Sequence, residues 1–297
     1  MKLPKSGIVL IVIATLIWGA TPVIMKLTLQ QVPVFSLAFI RMATASVILS
    51  ILAFDKLQIK KQDIKPVIYA GLCGVTFNIA FFFLGLKLAP AINASLLVAS
   101  VPILTLVAAN IYLKEKMSLK LLLAASIATI GVFFIVGLPT NANFLQFIGN
   151  IFLMISSLFW VFYEVISKKL FKTYKSTTIT FYSMAVGAAT FLPFALFELV
   201  QNPTWALSVT LTGWLGVLYG ILFASLIAYW AWQTGLSKMP AGRASFFFYL
   251  DPISGAILAI ALLGEKITTS LIVGGVLITL GIILAEFKRK SHPLYRS

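Results

Sequence analysis

One cysteine and one histidine occur in 297 residues. Cys73 has no second thiol to pair with, and His292 stands alone in the tail, so neither an internal disulfide nor a Cys/His metal site is expected. Charge is scarce too: 10% of residues are charged and only eight are acidic, where a soluble domain carries roughly 25% charged residues. A surface built from this sequence could not be solvated. No GxxxxGK(S/T) run is present, so the chain brings no phosphate-binding loop and no ATPase of its own. The loops hold no cluster of Asp, His or Ser, so no catalytic residues, no cofactor and no enzyme are expected.

The chain is rich in apolar sequence, 60% hydrophobic with mean hydropathy +1.03. Ten runs are each long enough to span a bilayer core of about 30 Å as a helix: 8–27, 34–54, 67–87, 92–113, 119–137, 147–167, 177–199, 211–235, 242–262 and 270–287. They are continuous, unlike the alternating segments of a β-barrel. Lys2 and Lys5 imitate a secretory signal, but the apolar core continues past Trp18 to Ile24 without a small-x-small cleavage site, so it reads as an uncleaved first helix.

The net charge of +15 is a topology signal. With the N-terminus inside and each run crossing once, 19 of the 23 Lys and Arg fall on the inner side and three, Lys26, Lys87 and Lys266, on the outer; Arg41 lies within a span. That is the positive-inside bias. It predicts both termini in the cytoplasm of a multi-pass plasma-membrane protein. It leaves the basic charge to lipid headgroups and excludes nucleic acid as a partner.

The chain also repeats itself. Residues 84–137 set against 234–287, without gaps, share 15 identities in 54 positions. "GLKLAPAINAS" faces "GLSKMPAGRAS", Pro102-Ile103 faces Pro252-Ile253, "LKEK" faces "LGEK", and Gly131 faces Gly281. Upstream, "ATLIWGA" is similar to "SSLFWVF" around Trp18 and Trp160. Two halves, 1–140 and 141–297, with five spans each would enter the membrane from opposite sides. Inverted repeats of this kind mark secondary transporters, with the solute site near the midplane between them. The fold expected is therefore an all-α membrane protein of ten transmembrane helices in two inverted five-helix repeats.

The "LIWGATPVIMK" of the first helix, Arg41 in the second, and the duplicated P-A-x-x-A-S…P-I…L-x-E-K…G pattern resemble the EamA-type branch of the drug/metabolite transporter superfamily over nearly the whole chain. That resemblance implies ten helices in two inverted repeats and export of a small metabolite across the plasma membrane. It also implies an acid before the second-half proline, where Asp251 stands. The halves depart from each other at Val161 opposite Gly19 and Met184 opposite Arg41, which points to an asymmetric site.

Asp251 is the one charged residue in "FFFYLDPISGAILAIALL". A carboxylate at a helix centre costs about 2.5–3.5 kcal/mol on insertion scales and needs a partner, water or a proton. It either lines a cavity or caps a helix that restarts at Pro252. Pro102, its repeat mate, follows Val101, so a kink at Pro102 or Pro252 does not itself need an acid. Arg41 is a gating or structural charge, by snorkelling or by pairing with Asp251. Glu164 and Glu286, beside Lys168 and Lys288, read as ordinary helix-end charges. Trp18, Asn78, Trp160, Tyr163, Tyr229 and Trp232 are candidates either for a solute cavity or for helix packing. Gly216 and Gly220, spaced GxxxG, read as close helix contact.

The function expected is alternating-access transport, in the export direction, of a small polar or amphipathic metabolite such as an amino acid, with a proton or an ion as candidate coupling partner. So few intramembrane charges disfavour a strongly charged solute. The other readings are a membrane-embedded enzyme or lipid-processing protein, and a non-transporting membrane partner.

Overall fold

The structure, a computed structural model, describes residues 5–52, 57–113, 119–136 and 143–286, and among them there is no strand. The apolar runs form helices because a lipid-facing backbone must satisfy its N–H and C=O groups within the segment. In chain order these are α1 (Lys5–Thr28), α2 (Val34–Leu52), α3 (Lys61–Leu88), α4 (Ala91–Val98 and Val101–Leu113), α5 (Leu119–Val136), α6 (Phe144–Leu170) and α7 (Ser176–Gln201). They continue with α8 (Leu211–Ser237), α9 (Ala241–Ser245, a tighter 3₁₀ stretch Phe246–Leu250, then Asp251–Leu263) and α10 (Thr269–Glu286). Among the described residues seven helices, α1 to α4 and α6 to α8, are long and apolar enough to cross a membrane by length and composition. Large apolar side chains point outward with nothing over them, Ile51 72% and Phe197 63% exposed among them, as lipid contact requires. The chain is a multi-pass helical membrane protein.

Helix boundaries recur along the chain. α4 begins at Ala91 and restarts at Val101, while α9 begins at Ala241 and restarts at Asp251, both pairs 150 apart. α1 and α6 end at Thr28 and Leu170, and α2 and α7 begin at Val34 and Ser176, pairs 142 apart. Both α3 and α8 widen into a π-helical stretch, Leu72–Phe77 and Gly220–Ile227. Packing follows the same pattern: α1 lies on α8 and α3 on α6, α2 on α7 and α5 on α10, and the first piece of α4 meets the last piece of α9 and the reverse.

In lipid the hydrophobic effect gives little drive between helices, so specific polar contacts matter. Gly264, at φ 64°, ends α9 in a left-handed turn with its N–H on the Ile260 carbonyl and that of Glu265 on Ala259. The turn aims the Glu265 carboxylate at the start of α4, where it accepts from the N–H of Ala91 at 2.7 Å and of Ile92 at 2.8 Å. Lys26 of α1 joins them, 3.9 Å from Glu265 and bonded to the Ala89 carbonyl. A carboxylate on exposed helix N–H groups is favourable in both hydrogen bonding and dipole. This gives the repeated Glu of "LGEK" its purpose. Glu198 does the same for α2, accepting from the N–H of Phe35 and Ser36 and from the Ser36 hydroxyl. Glu265→Ala is expected to cost about 2 kcal/mol, the worth of a charge-assisted bond; unchanged thermal unfolding in detergent would contradict this.

Candidate functional site

A cavity of about 110 Å³ lies at the centre of the helices. α1 contributes Trp18, Thr21 and Pro22; α3 gives Asn78 and Phe82; α4 gives Ala94, Ser95 and Val98; α6 gives Ser156, Ser157 and Trp160; α8 gives Tyr229 and α9 gives Phe248 and Asp251. α2 takes part through Arg41. A second cavity of about 330 Å³ sits off this centre, between helix ends around Pro90, Asn143 and Glu265, and holds none of the residues expected at a site.

Aromatic rings close one end of the central cavity. Trp18 meets Trp160 edge-on at 5.0 Å and Tyr229 edge-on at 5.4 Å, lies tilted to Trp232 at 5.6 Å, and stacks on Phe248 at 6.0 Å. Trp232 and Phe248 are 4.2 Å apart. These offset and edge-on arrangements suit the ring quadrupoles. The rings form a floor towards the end where α6 meets its loop at Phe171.

The two π-helical stretches hold this floor and one wall. A wider turn presents carbonyls to neighbouring side chains, a use such stretches often serve at functional sites. The Trp18 indole N–H donates to the Ala224 carbonyl at 3.0 Å and Arg41 Nε to the Gly220 carbonyl at 3.1 Å, both in the α8 stretch. The Tyr229 hydroxyl donates to the Gly74 carbonyl at 3.0 Å, in the α3 stretch. The guanidinium of Arg41 also donates to Ser225 and lies 5.2 Å over Phe83. At 3% exposure Arg41 is packed inward, so the snorkelling reading fails. Gly220 leaves room for it: a Cβ there would come within 2.8 Å of the Arg41 side chain. Gly216 has the close-contact role expected, facing Thr28 of α1.

Asp251 lies in the wall at 4% exposure. It begins the last piece of α9 with helical dihedrals, φ −60° and ψ −49°, while Leu250 holds the cap position without a side-chain cap bond. An N-cap residue typically has extended dihedrals, and those of Asp251 are helical instead. The helices are interrupted just before both prolines: α4 at Ala99-Ser100, ahead of Pro102, and α9 through its 3₁₀ stretch, ahead of Pro252. Asn78 donates to the Ser156 carbonyl and hydroxyl, each at 3.0 Å, and its own carbonyl accepts back at 2.9 Å, so it joins α3 to α6 while facing the cavity.

Tyr163 and Trp232 are not at this cavity. Both are fully buried behind the floor, because Tyr163 lies beyond Trp160 on α6 and Trp232 beyond Tyr229 on α8. Glu164 also departs from its expectation. It has no exposure; the Thr105 hydroxyl donates to one of its oxygens at 2.7 Å. Lys168, the i+4 neighbour, donates instead to the carbonyls of Leu236 and Met239. The Glu286 side chain lies outside the described residues. Sequence reasoning missed Ser95, Phe248, Ser156 and Ser157. The first two sit in the repeated stretch, and the serine pair interrupts an apolar span, so each left a readable mark.

The cavity can hold a small solute with aromatic faces and a few polar groups, one carboxyl and one guanidinium among them; among the described residues no cluster could ligate a metal. The EamA-like transporter family matches residues 5–137 and again 147–287. "Uncharacterized transporter YyaM" of Bacillus subtilis (strain 168) is 28% identical over 82% of this chain and 80% of its own. "Probable amino-acid metabolite efflux pump" of Salmonella typhimurium is 25% identical over 95% of each. A solved crystal structure, 19% identical, superposes with a TM-score of 0.69 over 95% of this chain and 98% of that one, which bears on the fold alone. With two family matches covering nearly all of its length, on a helical scaffold around a central cavity, the chain belongs to the EamA-like transporter family.

Proposed function

We propose that the chain is a secondary transporter that exports small polar or amphipathic metabolites, amino acids or related compounds, across the plasma membrane by alternating access. The observation that carries this is the central cavity walled by both halves of the chain and closed at one end by the aromatic floor around Trp18 and Trp160. Ten transmembrane helices in two inverted repeats, 1–140 and 141–297, account for the recurring boundaries, the paired π-helical stretches and the two family matches. A two-fold axis in the membrane plane maps α2–α7, α4–α9 and α5–α10 contacts onto themselves and exchanges α1–α8 with α3–α6, the packing observed. The charge bias puts both termini in the cytoplasm, and with them the end closed by the floor. The export direction and amino-acid class gain support from the name of the Salmonella relative.

Flux through liposomes against a panel of amino acids and neutral metabolites tests the reading; a panel without protein-dependent flux would overturn it. Trp18→Ala and Trp160→Ala are each expected to insert and to cut that flux about tenfold or more, since truncating either ring opens the floor. Trp18→Phe, which keeps a ring and loses only the bond to Ala224, is expected to retain most of it, a neutral bond being worth about 1 kcal/mol. Wild-type rates in both alanine variants would remove the floor from the transport path.

A further inference from the structure

The repeat offsets carry the cavity walls onto a second set of residues. At 142, Ser157 maps to Thr15, Thr21 to Tyr163 and Pro22 to Glu164; at 150, Phe82 maps to Trp232, Ala94 to Ala244 and Ser95 to Ser245. All six images are at 0% exposure, and by their positions along α1, α6, α8 and α9 they lie beyond the aromatic floor. Size and polarity survive the mapping at Ala94 and Ala244, at Ser95 and Ser245, and at Ser157 and Thr15. They fail at Pro22, whose image is a carboxylic acid.

We infer that exchange of the two packings opens a second cavity between these residues, towards the loop 171–175, and that Glu164 is its proton-binding site. This rests on the alternating-access reading above. Glu164 is fully buried and no cation is bonded to it among the described residues, which argues for a proton although three donors face it. Thr105 donates to its Oε2, and Oε1 has no hydrogen-bond partner among the described residues. The indole N–H groups of Trp160 on its own helix and Trp232 on α8 face the carboxyl, and neither has a bonded acceptor.

Other charged and titratable groups on the elements packed against α6 are engaged elsewhere or turned away. Lys168 is on the Leu236 and Met239 carbonyls, Tyr229 on Gly74, and Tyr182 of α7 on Leu57. Tyr163 faces Ser167, Ser183 and Gln233, Cys73 of α3 is half-buried, and Asp251 stands across the floor. On α9 the Arg243 side chain lies outside the described residues. Among the described residues no cation is bonded to Glu164, and sealing in an ionised carboxylate without one is costly. A proton from the water at that end removes the charge: one O–H bond forms on a carboxylate oxygen as the cavity closes and breaks as it reopens, with no electron transferred.

Infrared spectra and cysteine labelling of protein in lipid vesicles test this without any transported solute. In the wild type a protonated-carboxyl carbonyl band is expected, absent in Glu164→Gln and kept in Asp251→Asn. In a Cys73→Ala background, Thr15→Cys should react with a thiol reagent at the 171–175 end severalfold faster as pH rises, beyond the rise that thiolate formation gives an exposed reference thiol, and Glu164→Gln should remove that excess. Thr105→Val, which removes the donor and leaves the acid, should move the labelling midpoint to higher pH, because the hydroxyl that favours the ionised form is gone. A carboxyl band unchanged by Glu164→Gln, or labelling that rises with pH no more than the reference thiol, overturns the inference. A failed flux panel with these signals present would instead remove the transport reading.

Discussion

Asp251→Asn is expected to insert and unfold like the wild type while losing about tenfold or more of its metabolite flux, together with the pH dependence of what remains. The substitution keeps the shape and removes the charge. Its effect on folding should be small, because the substitution keeps the side-chain shape and the backbone at Asp251 is already helical. The repeat supplies an internal control: α4 restarts at Val101, the image of Asp251, with the same proline next in sequence and no acid. A carboxylate is therefore unnecessary for the break. What it adds to the cavity wall is a negative charge or a proton acceptor, which a solute ammonium or a coupling proton can use. Flux by purified Asp251→Asn equal to wild type across the working pH range would leave Asp251 without a transport role.

Much of the scaffold is legible in the sequence because apolar length is a direct physical requirement of the bilayer. The run expected at 34–54 is the helix Val34–Leu52, and that at 92–113 is Ala91–Leu113 with a short interruption. Trp18 and Trp160 could be paired from the repeat alone, and they meet in the folded chain. The losses have equally physical causes. Nothing in "LCGVTF" or "GILFASLI" announces a wider helical turn, yet those stretches supply the carbonyls that hold Tyr229, Arg41 and Trp18. Glu164 was misread because i+4 spacing to Lys168 suggests a surface pair, whereas the lysine bonds to backbone carbonyls at the end of α8 and the acid turns inward to Thr105. Tyr163 and Trp232 lie one helical turn behind the cavity-lining rings and pack between helices, and helix position alone does not reveal which ring ends up in front of another.

Gly74→Ala is expected to be strongly destabilising. Gly74 lies in the π-helical stretch of α3, and a Cβ there would sit 2.2 Å from Cγ of the Tyr163 ring and 2.5 Å from each Cδ, inside its van der Waals envelope. The ring cannot swing away cheaply. Tyr163 is fully buried, with Trp160 edge-on at 5.4 Å and Tyr229 at 6.4 Å, and the Tyr229 hydroxyl is bonded to the carbonyl of Gly74 itself. The strain has to pass into the α3–α6 contact, where Asn78 and Ser156 exchange their hydrogen bonds one turn further on. Overpacking a tight core costs about 1–3 kcal/mol and more where the backbone must move. The variant should therefore lose about 3 kcal/mol or more and unfold at lower denaturant in detergent. Gly74→Ala combined with Tyr163→Ala removes the obstructing ring and should recover part of that loss relative to the sum of the single changes, a non-additivity expected only of residues in contact. A Gly74→Ala protein as stable as the wild type, or a double variant showing strictly additive losses, would mean that α3 and α6 do not approach each other as closely as this packing requires.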